Sequence, residues 1–277
     1  YTIEQMAIKT PDVLEKLKAA IKSGQCEFMG SPYAHPMLPN FPEEDGNWSI
    51  RFSNEAYQKY LGMVPKSFWN PECGWRSYVK NQVLNNGYKY LLQEFEQYSR
   101  SVDAAGKPLR PEIHAVEKID NSKFYNFEFK YDLPGDERGI HFPFKNVEGL
   151  KGNPLRIYLR TDRIAVFGVR YFMSHPGHSL EKYLALIKKY SAQKPGEPEG
   201  AMLIYADDAE YVGTNAWYKL KYCNDPDQIF EKMPDAQEKL IALVNGVSKL
   251  GGLTTFEAAC KNVPALEQAY WRESPEE

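Results

Sequence analysis

The chain has 277 residues, of which 26% are charged and 43% hydrophobic, and its formal net charge is -3. This length can bury one large core, since a single α/β barrel takes about 250 residues. The weak net charge and the absence of a Lys/Arg block argue against nucleic acid as the main partner. No apolar run approaches the roughly 18 residues that would predict a membrane-spanning helix.

The sequence predicts alternating helices and short strands in the first third of the chain. Thr10 as N-cap and Pro11 at the first helical position begin a helix, which ends near Gly24. The next predicted elements, in chain order, are a strand at 26–29, a Pro-rich loop at 30–47, a helix from Ser53 to Gly62, a strand at 67–69, a helix at 75–86 and a strand at 88–92.

The segment from about 94 to 152 has a different character. It contains Gly, Pro, Asp and Lys clusters and short β-like stretches such as 124–129, and we interpret it as an elaborated loop or insertion. Regular patterns then return. They predict strands at 155–159 and 164–167, a helix at 179–190, a strand at 201–206, a helix at 234–250 and the start of a last helix at 254–260.

Strands that alternate with helices at this spacing are typical of parallel β/α units. The strand predicted at 201–206 has no polar alternation, as expected of a strand that is covered on both faces. The sequence therefore predicts an α/β fold with parallel strands and outer helices, formed as one barrel domain over residues 1–277.

Two acidic motifs follow apolar strands. Glu72 lies between Trp69 and Trp75, and the paired acids Asp207 and Asp208 follow the strand at 201–206. The loops after the strands are where α/β barrels build their active sites. Two such acids among aromatic side chains are the minimum that cleavage of a glycosidic bond requires, so the motifs predict action on a sugar polymer.

Each acid also has a simpler interpretation. Glu72 could favour the start of the following helix by its charge alone. Asp207 and Asp208 are adjacent, so on an extended strand they point to opposite faces and only one can face the barrel axis. They could instead be a solvated loop pair or a helix cap.

Further candidates for substrate binding surround these acids. His35 lies in a rigid, Pro-bounded loop that could present its imidazole to sugar hydroxyls, and Glu27 precedes that loop. Alternatively, both are ordinary surface groups. The aromatic candidates for stacking on a sugar, which could equally be core residues, are Tyr33, Trp69, Trp75 and Trp217.

No metal or organic cofactor is expected. The four cysteines, Cys26, Cys73, Cys223 and Cys260, lack the spacing of a zinc site or a disulfide framework. They fit reduced thiols in a cytoplasmic protein. His175 and His178 form a close pair in a Pro-Gly turn without a nearby third ligand, which favours a surface turn over a metal site.

Three motifs, in their order along the chain, resemble glycoside hydrolase family 57. Its members include α-glucan-active amylases, glucanotransferases, branching enzymes and amylopullulanases. The first motif is the segment 27–39, with its His-Pro-x-x-Pro loop; the second is Trp69-Asn70-Pro71-Glu72-Cys73; the third is the segment 207–213 with Trp217 beyond it. The stretch 160–164 is similar to an altered Arg-Asp motif of the family.

The resemblance implies an incomplete (β/α)7-type barrel and a double-displacement mechanism with retention. It assigns Glu72 as the nucleophile. Counting back from Glu210 and Gly213 of the motif selects Asp208 as the acid/base, with Asp207 as an alternative or a neighbouring substrate contact. The implied substrate is an α-glucan, and hydrolysis, 4-α-glucanotransfer and branching remain open.

Two other classes of protein also remain open. One is a non-catalytic, glucan-binding relic of the same fold. The other is a polysaccharide deacetylase, which would need a metal signature that this chain does not display. The family usually opens with a strand that carries a His-Gln-Pro-like motif. Because this chain has no counterpart, we expect a further N-terminal segment in the natural protein.

Overall fold

The structure is a computed structural model, and it describes residues 1–94, 105, 107, 144–146, 155–160, 162–191, 204–215, 231–262 and 268–269. The α-helices are α1 Thr2–Lys9, α2 Pro11–Lys22, α3 Glu43–Leu61, α4 Ser77–Asn85, α5 Asp162–Phe172, α6 Leu180–Ser191, α7 Glu210–Gly213, α8 Ala236–Leu250 and α9 Phe256–Asn262. The strands are β1 Ser67–Trp69, β2 Tyr90–Glu94, β3 Phe144–Asn146, β4 Leu155–Arg160 and β5 Gln268–Ala269. Short 3-10 helices cover Leu38–Asn40 and Pro71–Cys73.

Within the described residues, the strands form one sheet in the order β1-β2-β4-β3-β5. β1 pairs in parallel with β2, with Phe68 opposite Leu91. β3 is antiparallel to β4 and parallel to β5. The sheet is therefore mixed, and its antiparallel strand β3 comes from the segment that the sequence marks as an insertion. The predicted α/β class with parallel strands and helices is confirmed at this coarser level.

The chain divides into two compact units. The first contains the described residues up to 107 together with 144–146, 155–159, 255–262 and 268–269, and the second contains the described residues from 160 to 254. The single domain predicted over residues 1–277 stays a prediction. None of the helices in the described part of the chain is long and apolar enough to cross a membrane.

The core of the first unit lies between the sheet and helices α3 and α4. Its fully buried residues are Leu38, Ile50, Phe68, Trp75, Val79, Val83, Tyr88, Leu91, Leu155 and Ile157. Burial of each large apolar side chain of this kind contributes about 1.5–3 kcal/mol. The core thus fixes the position of β1, which carries the loop with Glu72 at its end.

Helix α3 begins earlier than the sequence predicts. The predicted N-cap, Ser53, is a buried residue in the middle of the helix. The helix starts instead with Glu43, Glu44 and Asp45, whose charges favour the positive end of the helix dipole. Its predicted end is confirmed, since Gly62 has a φ of 75° and the Gly62 N–H donates to the Gln58 carbonyl.

Packing in the second unit centres on Tyr183 of α6. Its ring stacks on Phe167 of α5 with centroids 5.2 Å apart, and its hydroxyl donates to the Ile164 carbonyl over 2.8 Å. Burial raises the pKa of this hydroxyl well above its ordinary value. On α8, the Lys239 ammonium donates to the Phe172 carbonyl over 2.7 Å and ties the end of α5 to α8.

Three strand predictions need correction. The strand predicted at 164–167 is wrong, because these residues belong to α5. Ile164, Ala165, Val169 and Phe172 are buried at helical spacing, and a short apolar run does not by itself distinguish a strand from a helix. The strand predicted at 26–29 is represented only by a bridge between Gly30 and Phe68. The described end of the third, 204–206, is not paired as a strand.

Helices predicted at 10–24, 75–86, 179–190, 234–250 and 254–260 are confirmed with small shifts of their ends. Helix α1 has no counterpart among the predicted elements. Its Ile3 packs against Leu14, Tyr57 and Leu61 of neighbouring helices. The β-like stretch expected at 124–129 lies outside the described residues.

Candidate active site

Two of the predicted site loops leave the same edge of the sheet. The Gly30 N–H donates to the Ser67 carbonyl over 2.8 Å, and the Trp69 N–H donates to the Gly30 carbonyl over 2.9 Å. The segment before His35 therefore runs parallel to β1, beside it. Because both segments run in the same direction, the loops with His35 and Glu72 both begin at the edge of the sheet where β1 has its carboxyl end. This is the edge at which parallel α/β folds place their sites.

The Glu72 loop turns sharply between two buried positions. Pro71 and Cys73 are buried, whereas Glu72 between them is exposed. Glu72 has φ 54° and ψ 16°, and Cys73 has φ 50°. Both residues are thus left-handed, a conformation that costs about 1–2 kcal/mol for a residue other than glycine. The result is a carboxylate that points away from the core while its neighbours stay in it.

The His35 loop contains a similar pair. Ala34 and His35 both have a φ of 58°, and both are exposed. Of the five non-glycine residues with positive φ in the described part of the chain, these two and the pair Glu72–Cys73 make four. Backbone conformations of this kind concentrate at functional sites, where the surrounding structure holds them. The strain therefore marks the same two loops that the motifs mark.

Glu27, a predicted substrate contact, forms hydrogen bonds within the first unit. One Glu27 oxygen accepts from the Ser67 hydroxyl over 3.0 Å, and the other accepts from the Glu257 N–H over 2.9 Å. Ser67 begins β1, so this carboxylate lies towards the amino end of that strand and binds the first turn of α9. A role of Glu27 in substrate binding stays a prediction beside this structural one.

Tyr33 lies between α1 and α3. Its hydroxyl donates to the Glu4 carboxylate over 2.6 Å, and its ring contacts Phe52 edge-on. The bond to Glu4 is the main cause that raises the pKa of Tyr33. The ring is half-buried, so one part of it remains accessible to a ligand.

The two tryptophans beside Glu72 differ in exposure. Trp69 is half-buried, and its indole N–H donates to the Cys73 sulfur over 3.2 Å. Trp75 is fully buried in the core of the first unit. A fully buried indole offers no face to a sugar, so the structure favours the packing interpretation of Trp75 and leaves Trp69 as the aromatic candidate at this loop.

Asp207 and Asp208 belong to the second unit. Asp207 is half-buried, and its carboxylate accepts from the Asp208 N–H over 3.0 Å, while Asp208 is exposed just before α7. Burial raises the pKa of Tyr211, and the negative charges of Asp208 and Asp207 add to the effect. The Tyr211 hydroxyl also hydrogen-bonds to Asp208. Trp217 lies outside the described residues.

Sequence reasoning overlooked two residues near the predicted acids: Tyr211, which hydrogen-bonds to Asp208, and Asn70, which spans the Glu72 turn. A tyrosine three positions after an acid at a helix start can reach back to that acid, as Tyr211 does to Asp208. Asn70 is the second overlooked residue. It is fully buried, and its amide donates to the Gly74 carbonyl over 2.6 Å, across the Glu72 turn.

The family model of glycosyl hydrolase family 57 matches residues 1–219. The chain belongs to glycosyl hydrolase family 57. Among curated proteins, "Alpha-amylase 1" of Dictyoglomus thermophilum is 29% identical over 82 residues, 30% of this chain and 12% of that protein. The "4-alpha-glucanotransferase" of Thermococcus litoralis is 28% identical over 90 residues, 32% of this chain and 14% of that protein.

Solved structures of family members share the fold. The 4-alpha-glucanotransferase of Thermococcus litoralis matches with a TM-score of 0.65 and 17% identity, over 98% of this chain and 34% of that chain. A family 57 branching enzyme of Pyrococcus horikoshii matches with a TM-score of 0.59 and 12% identity, over 98% of this chain and 51% of that chain. The chain therefore spans about a third to a half of these relatives.

Proposed function

We propose that this chain carries the catalytic site of an α-glucan-active, retaining glycoside hydrolase. The observation that carries the proposal is Glu72, an exposed carboxylate on a left-handed turn at the carboxyl end of β1, in the family's nucleophile motif. We further propose that the domain is an incomplete barrel of the (β/α)7 type, with residues 1–277 as one catalytic domain.

The proposed chemistry needs only carboxyl groups. Glu72 attacks the anomeric carbon while the bond to the leaving glycosidic oxygen breaks, and Asp208 gives that oxygen a proton. Asp208 then takes a proton from the incoming water or sugar hydroxyl, which attacks the same carbon and releases Glu72. In a retaining enzyme the two carboxyl groups lie about 5–5.5 Å apart during this sequence.

Substrate contacts are proposed for His35, Tyr33, Trp69, Asp207, Glu27 and Trp217. His35 is supported by its strained loop, which leaves the sheet beside the Glu72 loop. Trp69 is supported by its position on the strand that leads to Glu72, where its half-buried ring could stack on a glucose unit.

A second candidate is 4-α-glucanotransfer or branching. It is supported by the glucanotransferase among the sequence relatives and by the glucanotransferase and branching enzymes among the structures. Hydrolysis and transfer share the glycosyl-enzyme intermediate. In hydrolysis a water molecule attacks this intermediate, whereas in transfer or branching a sugar hydroxyl attacks it.

The test is turnover of maltooligosaccharides by the full-length protein. Glu72→Gln keeps the shape but removes the charge, and we expect kcat to fall by at least about a thousandfold, as when other nucleophiles are removed. Glu55→Gln, a change at an exposed carboxylate on α3, is the matched control and should keep full activity. Retained activity in Glu72→Gln would reject the assignment.

The products separate the candidates. Shorter chains alone indicate hydrolysis, and longer chains beside shorter ones indicate transfer. Binding of amylose without turnover by the unchanged protein would instead identify a glucan-binding relic.

A further inference from the structure

Asn70 spans the turn that carries Glu72. Its side chain is fully buried, and its amide donates to the Gly74 carbonyl over 2.6 Å, so it closes a short ring around Pro71, Glu72 and Cys73. The Cys73 N–H donates back to the Asn70 carbonyl over 3.0 Å. Asn70 is therefore held at both its main chain and its side chain to the far side of the turn.

The turn would not keep its shape without such contacts. The left-handed conformation is unfavourable for residues other than glycine, so a free loop with two of them in a row would favour other conformations. A hydrogen bond from a buried donor stabilises the folded loop, and leaving its acceptor unpaired in the core is costly. The Asn70 bond to Gly74 therefore offsets part of the cost of the left-handed pair.

A second bond has a similar direction. The indole N–H of Trp69 donates to the Cys73 sulfur over 3.2 Å, also four residues ahead. Trp69 and Asn70 therefore hold Cys73 and Gly74, the two residues that follow Glu72. Neither of these two bonds involves Glu72, whose side chain stays exposed. The two bonds fix the position of the Glu72 backbone and the direction of its Cα–Cβ bond, and they leave its carboxylate available.

We infer that Asn70 is a positioning residue for Glu72. Asn70 acts by holding the left-handed turn and does not touch the substrate. This inference rests on the proposed role of Glu72 as nucleophile. A nucleophile must approach the anomeric carbon in a narrow geometry, and a displacement of about 1 Å can cost about a hundredfold in rate. Loosening the turn therefore affects the chemical step more than the binding of the glucan.

The test uses Asn70→Ala and Asn70→Asp in the full-length protein with a nitrophenyl maltooligoside. Aspartate keeps the shape but places an oxygen against the Gly74 carbonyl instead of a donor. We expect both variants to lower kcat by about 10- to 100-fold, in line with the cost of misplacing a reacting group, with KM within about twofold of the unchanged protein. Asn70→Ser takes the place of either variant that does not fold, as judged by circular dichroism.

Asn86→Ala is the matched control. The Asn86 amide donates to the Gln82 carbonyl over 2.7 Å, also four residues away, at the end of α4 in the same unit. This variant loses that bond, and a 3.1 Å bond from the same amide to the Asn47 side chain, without touching the Glu72 turn. It should unfold at a lower temperature than the unchanged protein but keep its kcat.

A second arm removes Glu72 and supplies azide. In Glu72→Ala, azide can attack the anomeric carbon in its place; the bond to the nitrophenolate breaks, the phenolate leaves with the electron pair, and a glycosyl azide forms. This reaction does not need a positioned Glu72. If Asn70 acts only through Glu72, adding Asn70→Ala in this background should change the azide-dependent rate by less than about twofold.

The outcomes are distinct. An Asn70→Ala protein that keeps its kcat would overturn the inference, as would an equal loss with azide in the Glu72→Ala background, since that loss would show a general role in the pocket. Full turnover by Glu72→Ala without azide would instead reject the proposed function itself.

Discussion

Replacing Gly30 with alanine should disturb the segment that runs beside β1 and leads into the His35 loop. A Cβ built on Gly30 would lie 2.4 Å from the Tyr88 hydroxyl oxygen and 2.5 and 2.7 Å from two atoms of its ring. Favourable contacts between heavy atoms are about 3.5–4.0 Å long, so the ring must move by about 1 Å.

Tyr88 has little room for such a movement. Its side chain is 1% exposed, its ring contacts Phe68 with centroids 4.7 Å apart, and its hydroxyl donates to Asn54 over 2.6 Å. Overpacking of this kind costs about 1–3 kcal/mol. Loss of the bond to Asn54 would add about 0.5–1.5 kcal/mol, and the lower entropy of the unfolded chain would return about 0.4–1 kcal/mol. Together these effects give an expected net destabilisation of about 2 kcal/mol, within a range of about 0.5–4 kcal/mol.

Urea unfolding of the full chain would measure this change. Gly213→Ala is the control for the glycine substitution itself, because nothing lies within 4 Å of a Cβ at Gly213 and this residue is part of helix α7; its stability should not fall, since the lower entropy of the unfolded chain favours alanine. In a Tyr88→Leu background, which removes the clashing ring, Gly30→Ala should cost much less. A cost below about 0.5 kcal/mol in the unchanged chain, or an equal cost in the Tyr88→Leu background, would refute the assigned overlap.

Other predictions concern the acid/base and contacts within each of the two units. Asp208→Asn should lower turnover of unactivated maltooligosaccharides by at least about a hundredfold, as for loss of a general acid, with a smaller loss on nitrophenyl maltooligosides, whose leaving group needs no proton; an equal loss on both would speak against the acid role. Lys239→Met should cost about 1.5–3 kcal/mol in urea unfolding, because its ammonium bonds the Phe172 carbonyl and Asp235. The hydrogen bond from Lys239 lowers the pKa of Asp235 below its ordinary 3.8. Part of the stability difference between the Lys239→Met variant and the unchanged protein is therefore present at neutral pH and is lost as the pH falls through that lowered pKa. A stability difference that stays constant down to pH 2 would contradict this ion pair. Gly62→Ala should destabilise the end of α3 by about 1 kcal/mol, because Gly62 has a φ of 75°, and a gain in stability would contradict the assigned conformation.

The sequence predicts best where a local rule acts alone. Pro11, Gly24 and Gly62 mark helix ends by their own backbone preferences, and these ends agree with the structure. It predicts poorly where a short apolar run can serve either structure. Residues 164–167 form part of α5 because Ala165, Val169 and Phe172 are buried along one helical face, and that choice depends on neighbours far along the chain.

The identity of the acidic motifs, their order and the family could be determined from the residues alone, since a motif is a property of adjacent side chains. The tertiary structure alone decided that Glu27 binds β1 and α9, that Trp75 is buried, and that the turn at Glu72 is left-handed and held by Asn70. These facts depend on contacts between distant segments and on backbone conformations that no local preference of Glu or Cys would favour.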